Sequence, residues 1–167
     1  MTKETKEDEE EGKNFISVKQ LYDAFRRRDI SCLLDMFTDC AVIHGPAPAG
    51  VLPWGGVRSG RNGAAEFFIA VGESLEVQQF EPRDIIAQGN KVVVLGYQKG
   101  KAKPTGRPYE IEFVHLWSLR DGRFIEFRVF NDTAAIVEAL YREEEFLPGD
   151  ISILMPDAHV ARIGLHD

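Results

Sequence analysis

The clearest pattern in this chain is a pair of runs, rich in β-branched and aromatic residues, that meet at a two-residue turn. The runs cover residues 109–119 and 124–131, with Asp121-Gly122 between them. Such runs around an Asp-Gly pair are typical of a β-hairpin. Because side chains alternate in a strand, one face of this hairpin is predicted to be apolar. That face carries Ile111, Phe113, His115, Trp117, Leu119, Ile125, Phe127, Val129 and Asn131.

Helical spacing dominates the N-terminal third of the chain. Ser17 and Gln20 form a capping-box pattern, and apolar residues then repeat at helical spacing as far as Phe25. Asp29 is predicted to cap a second, short helix. Residues 61–74 are predicted to form a third helix.

A loop rich in proline and glycine separates the second and third helices. Residues 41–44 predict a short strand, and residues 45–60, with three Pro, five Gly and one Trp, are predicted to lack regular structure. A loop this long in a compact domain is usually functional or disordered. Trp54 favours the interpretation that the loop is an ordered lid over a pocket.

Long strands follow the third helix. Residues 75–88, with a bulge near Pro82, and residues 91–99 lead into the hairpin, and Asp132 opens a last helical run. This order, with helices first, then an antiparallel meander, then a helix, predicts an α+β fold with the helices on one side of a curved sheet.

Composition and charge narrow the function classes. The chain has 167 residues, a length that favours one domain. Its net charge is -7. The chain has no stripe of basic residues, so a nucleic-acid partner is not expected. No apolar run reaches the roughly 20 residues of a membrane helix. The acidic N-terminus does not resemble a secretory signal. Cys32 and Cys40 are interpreted as reduced thiols, so a cytoplasmic location is expected.

Three regions are predicted along the chain. Residues 1–13 are acidic and nearly devoid of apolar side chains, which is typical of a disordered tail. Residues 14–141 form the single domain. Residues 142–167 form a C-terminal extension, whose apolar residues 151–155 are expected to cover a surface of this domain or of a partner subunit.

Two motifs carry a resemblance to a known family. Residues 37–41 read Phe-x-Asp-x-Ala, and residues 121–135 read Asp-Gly-Arg-x-x-Glu-x-Arg-x-x-x-Asp-Thr-Ala-Ala. In this order they resemble the SnoaL-like polyketide cyclase and ketosteroid isomerase-like families, over roughly residues 14–141. The resemblance implies the cone-shaped, curved antiparallel sheet of the nuclear transport factor two-like fold, wrapped around N-terminal helices. It also implies a pocket for a hydrophobic small molecule, a homodimer and no cofactor.

The resemblance also points to residues of the site. An Asp that closes the last strand serves as acid/base in SnoaL-like cyclases, and Asp132 matches that position. The ketosteroid isomerase pattern instead aligns its acidic oxyanion donor with His115, its base with Gly45 and its first-helix Tyr with Leu21, next to Tyr22. From the residues alone, Asp132 is also an ideal helix N-cap.

His115 and Asp132 are therefore the candidate catalytic residues. His115 is expected to act as a general base or as a neutral hydrogen-bond donor to a carbonyl, and the alternative is a satisfied core histidine. Burial is expected to raise the pKa of Asp132. No metal site is predicted, because His44 and His115 lack a clustered carboxylate. The predicted substrate-binding residues are Leu21, Phe25, His44, Trp54, Tyr97, Phe113, Trp117, Phe127, Val129 and Asn131.

The expected function is acid/base catalysis, without a cofactor, on a hydrophobic carbonyl or polyketide-like molecule. Isomerisation, cyclisation and dehydration need the same parts, and epoxide hydrolysis is a further alternative. A non-catalytic ligand-binding or dimeric assembly domain is the alternative from another class. The cavity discriminates between them, since catalysis requires His115 or Asp132 to open into it. Glu126 and Arg128 are expected on the outer face of the sheet, where similar proteins dimerise.

Overall fold

Residues 3–142 are described by a computed structural model of the protein. Its helices are α1 (Lys3–Arg26), α2 (Ile30–Asp35), α3 (Gly60–Ser74) and α4 (Thr133–Leu140). Its strands are β1 (Phe37–His44), β2 (Val57–Ser59), β3 (Leu75–Gln88), β4 (Lys91–Ala102), β5 (Pro108–Arg120) and β6 (Arg123–Asn131).

The six strands form one curved, unclosed sheet in the order β2-β1-β6-β5-β4-β3. This confirms the predicted α+β class. The pairing is antiparallel except between β1 and β6, which run parallel. The curved antiparallel sheet that was expected therefore contains one parallel pair. Parallel neighbours need a long crossover, and here α3 and the meander β3-β4-β5 provide it.

The central hairpin has the turn that its Asp-Gly pair predicts. Asp121 and Gly122 have φ values of 51° and 72°, and positive φ at both positions is the type I′ geometry that matches strand twist. His115 pairs with Val129 across the hairpin. A register shift near Ser118 changes the alternation at the start of β6. As a result Phe124, rather than the predicted Ile125, is completely buried.

α1 begins at Lys3, so a helix stands where the sequence predicted a disordered tail over residues 1–13. Two contacts attach this helix to the turn between β3 and β4. Glu11 Oε1 accepts a hydrogen bond from the Gly89 amide at 2.6 Å, and Asn14 Nδ2 donates to the Gly89 carbonyl at 3.1 Å. Acidic residues near a helix N-terminus are also favoured by the helix dipole. Tertiary contacts therefore extend the helix beyond its capping-box signal.

The loop after β1 is more ordered than its composition predicts. Residues 57–59 form β2 and pair with β1, which corrects the expectation of no regular structure. The Arg58 guanidinium donates to the carbonyls of Pro53, Trp54 and Gly55. A side chain at Gly45 would put its Cβ 2.2 Å from the Trp54 carbonyl oxygen, so only glycine fits there. These contacts hold the Trp54 ring, which is 2% exposed, against the core.

No helix within residues 3–142 is long and apolar enough to cross a membrane. The predicted C-terminal extension lies outside the described residues, except for Arg142.

Candidate active site

The concave face of the sheet and the helices α1 and α3 enclose an apolar cavity. Its volume is about 60 Å³, and its walls are mostly aromatic. The cavity brings together the predicted residues Leu21, Phe25, Trp54, Phe113, His115, Trp117, Phe127, Val129 and Asn131. Alternation along β5 and β6 predicted most of this wall correctly.

A chain of hydrogen bonds runs from the core to this cavity. Trp117 Nε1 lies 3.0 Å from the Tyr22 hydroxyl oxygen, and that oxygen lies 2.9 Å from His115 Nδ1. An indole nitrogen can only donate, so the Tyr22 oxygen accepts from Trp117. The Tyr22 hydroxyl is then oriented to donate to His115 Nδ1. We therefore assign the imidazole proton to Nε2, which has no hydrogen-bond partner among residues 3–142.

Both titratable groups of this chain are neutral at physiological pH. Burial lowers the pKa of His115 to about 3, because the imidazolium would lose its hydration. Burial also raises the pKa of Tyr22 well above its usual range, and the hydrogen bond from Trp117 offsets this only in part. The His115 ring stacks on Phe113 with centroids 4.2 Å apart and meets Phe127 edge-on at 5.1 Å. His115 is thus an oriented, uncharged imidazole among aromatic rings.

Two side-chain amides add polar groups to the cavity wall. Asn131 Oδ1 accepts from the Thr133 hydroxyl at 3.2 Å, and Gln98 Nε2 donates to the Tyr109 hydroxyl at 2.7 Å. Each bond uses one end of its amide. The other ends, Asn131 Nδ2 and Gln98 Oε1, have no hydrogen-bond partner within residues 3–142. The wall therefore offers donors at His115 and Asn131 and an acceptor at Gln98.

A wide groove adjoins this small cavity. It lies between the end of α1, the outer side of α3 and the start of β3, and its volume is about 810 Å³. The groove and the cavity share the lining residues Phe25, Phe68, Val71, Leu75 and Phe80. Because these walls are common to both, the groove and the cavity are direct neighbours.

The SnoaL-like domain family matches residues 18–127, which is more than half of the chain. The protein belongs to the SnoaL-like family. No curated protein matches the chain.

Solved structures with the same fold are similar to this chain. An NTF2-like protein from Burkholderia xenovorans LB400 is 27% identical, with a TM-score of 0.70 over 78% of this chain and 97% of that one. TerC, co-crystallised with polyporic acid, is 30% identical, with a TM-score of 0.69 over 77% of this chain and 98% of that one. A protein from Jannaschia sp. CCS1, described as a SnoaL-like polyketide cyclase, is 19% identical, with a TM-score of 0.67 over 77% and 92% of the two chains. This last likeness shows the fold alone.

Asp132, the position expected to act in SnoaL-like cyclases, does not line the cavity of this member. Its side chain is exposed, and Oδ1 accepts a hydrogen bond from the Ala135 amide at 3.2 Å. This is the N-cap geometry of α4. Residues 132 and 131 point to opposite sides because they follow each other at the end of an extended strand. Asn131 consequently lines the cavity and Asp132 does not.

Tyr97 and His44 also lie outside the cavity, contrary to the prediction. In β4 the concave side belongs to Val92 and Val94, so Tyr97 has the opposite parity and its ring lies 4.8 Å from the Arg83 guanidinium. His44 Nε2 lies 3.3 Å from Glu126 Oε1 on the convex face. For His44 this is the side that plain alternation gives, opposite the buried Ile43. For Tyr97, the face that it shares with Val93 and Leu95 is the convex one.

Glu126 is the centre of a charged cluster on the convex face. Besides His44, its carboxylate accepts hydrogen bonds from Arg128 Nε at 2.8 Å and from the Ser118 hydroxyl at 3.0 Å, and lies 3.5 Å from Lys91 Nζ. Partial burial acts to raise the pKa of this carboxyl, but those partners lower it overall. The predicted outer-face pair of Glu126 and Arg128 is therefore part of a larger network.

Two polar residues of the site were not predicted. Gln98 shares the parity of the buried Val92 and Val94, so a polar residue at an inward position was an available signal. Tyr22 lies next to Leu21 on the buried face of α1, and its bond to His115 spans 93 positions of sequence. No local pattern reports a contact of that range, but the resemblance to ketosteroid isomerases pointed to a tyrosine at the neighbouring position Leu21. Within residues 3–142, no cluster of three or more His, Cys, Asp or Glu side chains is arranged to hold a metal ion.

Proposed function

We propose that this SnoaL-like protein is an enzyme that performs acid/base chemistry on a hydrophobic carbonyl compound, in a reaction that needs no cofactor. The observation that carries the proposal is the orientation of His115. Tyr22 occupies Nδ1, so the Nε2–H group is the free end of the imidazole in an apolar cavity. A polar donor fixed among aromatic walls is a typical feature of a small-molecule site.

The neutral imidazole suits the stabilisation of a developing negative charge. Its pKa of about 3 makes it a weak base in the free protein. Transfer of the α-proton of the substrate to solvent water in the groove would leave an enolate oxygen beside Nε2. That charge would favour the protonated ring, so the pKa of His115 would rise as the reaction proceeds. A preorganised donor in a water-poor site is effective at this task. Isomerisation, cyclisation and dehydration next to a carbonyl all pass through such a charge.

The volumes indicate how a ligand would be bound. Small-molecule sites usually measure about 300–1,000 Å³, whereas the cavity holds about 60 Å³ and the groove about 810 Å³. We therefore expect the reacting carbonyl to enter the cavity while the rest of the ligand occupies the groove. The relative TerC, which was co-crystallised with polyporic acid, supports a small organic ligand.

The test is a turnover assay on a panel of polyketide-like and steroid-like carbonyl compounds. His115→Gln should lower the rate by about 10²–10³-fold, which is the usual effect of removing one oxyanion donor. Asp132→Asn is the matched control, because it keeps the helix cap and removes only an exposed charge. If His115→Gln and the parent turn over a substrate at the same rate, His115 is not the reacting group.

A non-catalytic ligand-binding role is the second candidate. It is favoured by the absence of any carboxylate from the cavity wall formed by residues 3–142. Saturable binding of panel compounds without turnover, detected by quenching of Trp117 fluorescence, would support this candidate over the enzyme.

We also propose a homodimer through the convex face of the sheet. Leu95, Val114 and Phe130 pair in register across β4, β5 and β6 and form an apolar row on that face. Phe130 is 54% exposed and Leu95 is 39% exposed. The mass from solution scattering at micromolar concentration should equal two subunits, and Phe130→Asp should reduce it to one. A single-subunit mass for the parent would refute the dimer.

A further inference from the structure

We propose that the ligand of this protein is an amphipathic anion, whose charged group binds at the groove through Arg28 while its apolar part extends towards His115. The proposal deepens the function proposed above and rests on it. An ionised carboxylate or acidic hydroxyl on an aromatic body is the chemistry that this arrangement would recognise.

The first argument is the sign of the charge at the groove. The protein carries a net charge of -7. The charged residues that line the groove are nevertheless Arg26, Arg28 and Lys103 against the single acid Glu76. A positive region on a negative protein attracts anions locally and raises their rate of encounter.

The second argument concerns which cation is available to a ligand. Arg26 Nη1 is paired with Asp23 at 2.9 Å, and Lys103 Nζ donates to the Gly72 carbonyl at 2.6 Å. The exposed Arg28 side chain makes no hydrogen bond or ion pair within residues 3–142. Arg28 is therefore the cation of the groove whose N–H donors can all bind a ligand. A guanidinium can bind a carboxylate through two parallel hydrogen bonds.

The third argument is the position of Arg28 relative to the apolar walls. Arg28 lies two positions after the end of α1. Its amide donates to the Phe25 carbonyl at 3.0 Å, and the Asp29 amide donates to the Ala24 carbonyl at 2.9 Å. Phe25 lines both the groove and the cavity. This helix end thus places a fixed backbone, a free guanidinium and an aromatic wall within four residues of one another. A ligand that contacts both would be charged at one end and apolar at the other.

The experiment uses two fluorescent probes with the same aromatic body. 8-Anilinonaphthalene-1-sulfonate carries one negative charge, and N-phenyl-1-naphthylamine lacks it. Dissociation constants of both probes are measured by titration for the full-length parent, Arg28→Gln and Arg120→Gln. Arg120 is an exposed arginine at the end of β5 that does not line the groove, so its variant changes the net charge equally.

We expect Arg28→Gln to weaken the anionic probe by about 2- to 5-fold, which corresponds to an exposed ion pair, and to leave the neutral probe unchanged. Arg120→Gln should affect neither probe. Raising the salt concentration should reduce the effect of Arg28→Gln. Phe25→Ala should weaken both probes, because it removes a wall that they share.

The proposal is overturned if Arg28→Gln changes both probes equally, if Arg120→Gln has the same effect, or if Phe25→Ala changes neither. In each of these cases the proposed function still stands if the neutral probe quenches Trp117 fluorescence, because the cavity then still binds an apolar ligand. If neither probe binds the parent, the ligand-binding groove itself is refuted, and the proposed function loses its site as well.

Discussion

The lowered pKa of His115 predicts a measurable dependence of stability on pH. The unfolded chain would hold this imidazole near its ordinary pKa of 6.5, whereas burial lowers it to about 3 in the folded protein. Between these values the unfolded state binds more protons than the folded state. The contribution of His115 is therefore fully present above pH 6.5 and is lost progressively as the pH falls towards 3.

The magnitude follows from the difference between the two pKa values. Each unit is worth about 1.4 kcal/mol, so the complete loss below pH 3 would be about 5 kcal/mol. At pH 4.5 the loss covers two of the 3.5 units, which is about 2.7 kcal/mol. Since His115 is only partly buried, we expect about 2 kcal/mol at that pH.

The assay is equilibrium unfolding in urea at pH 7.5 and pH 4.5, for the parent and for His115→Gln. Glutamine keeps a polar side chain of similar size and does not titrate. Carboxylates contribute equally to both proteins, so the difference between their pH-dependent losses isolates His115. The parent should lose about 2 kcal/mol more than the variant.

An equal loss in the two proteins would refute the reasoning, because His115 would then keep an ordinary pKa when folded. A ring with an ordinary pKa would be partly protonated near neutral pH and would lack the fixed neutral state that the proposed mechanism uses. Nitrogen-15 shifts of the imidazole provide an independent check, since the hydrogen bond from Tyr22 requires the proton on Nε2. Protonation at Nδ1 would contradict the assigned network.

Three further predictions follow from individual contacts. Tyr22→Phe should lower the free energy of unfolding by about 2 kcal/mol, because it leaves the buried Trp117 N–H unpaired. Tyr109→Phe is the control: it leaves only the half-buried Gln98 amide unpaired and should lower the free energy of unfolding by about 1 kcal/mol. Equal losses in the two variants would contradict the network. Arg28→Gly should raise the free energy of unfolding by about 0.5 kcal/mol, because relief of the left-handed conformation, φ 58°, outweighs the extra backbone entropy of glycine. Asp132→Ala should lower the free energy of unfolding by about 1 kcal/mol, and Asp132→Asn should lower it by a few tenths of a kcal/mol. Neither variant should lose activity. A loss of activity in Asp132→Asn would make Asp132 a catalytic candidate again.

Local chemistry was sufficient to predict several elements of this fold. The Asp121-Gly122 turn requires positive φ values that this pair tolerates well, so the central hairpin could be located from sequence alone. Asp29 and Asp132 cap their helices as the N-cap pattern predicts. In each case the preference depends on residues within a few positions, and tertiary contacts did not override it.

Contacts between distant segments decided what local patterns missed. α1 extends back to Lys3, and Glu11 and Asn14 attach its early turns to Gly89, more than seventy positions away. β2 exists because β1 offers it a partner, since an isolated three-residue strand has no stability of its own. The parallel neighbour of β1 is likewise set by the path of the whole chain.

The candidate site also combines features set by local patterns with features set by distant contacts. Alternation in β5 and β6 determined that His115 and Trp117 share a face, because the side-chain period of a strand is a local property. It could not determine that Tyr22 would join Trp117 to His115, which requires α1 to pack on that face. Nor could it determine that the face of Tyr97 would be convex. Parity states which residues of one strand lie together, but the concave side is chosen by where the helices pack and how the sheet twists, and only the tertiary structure contains that information.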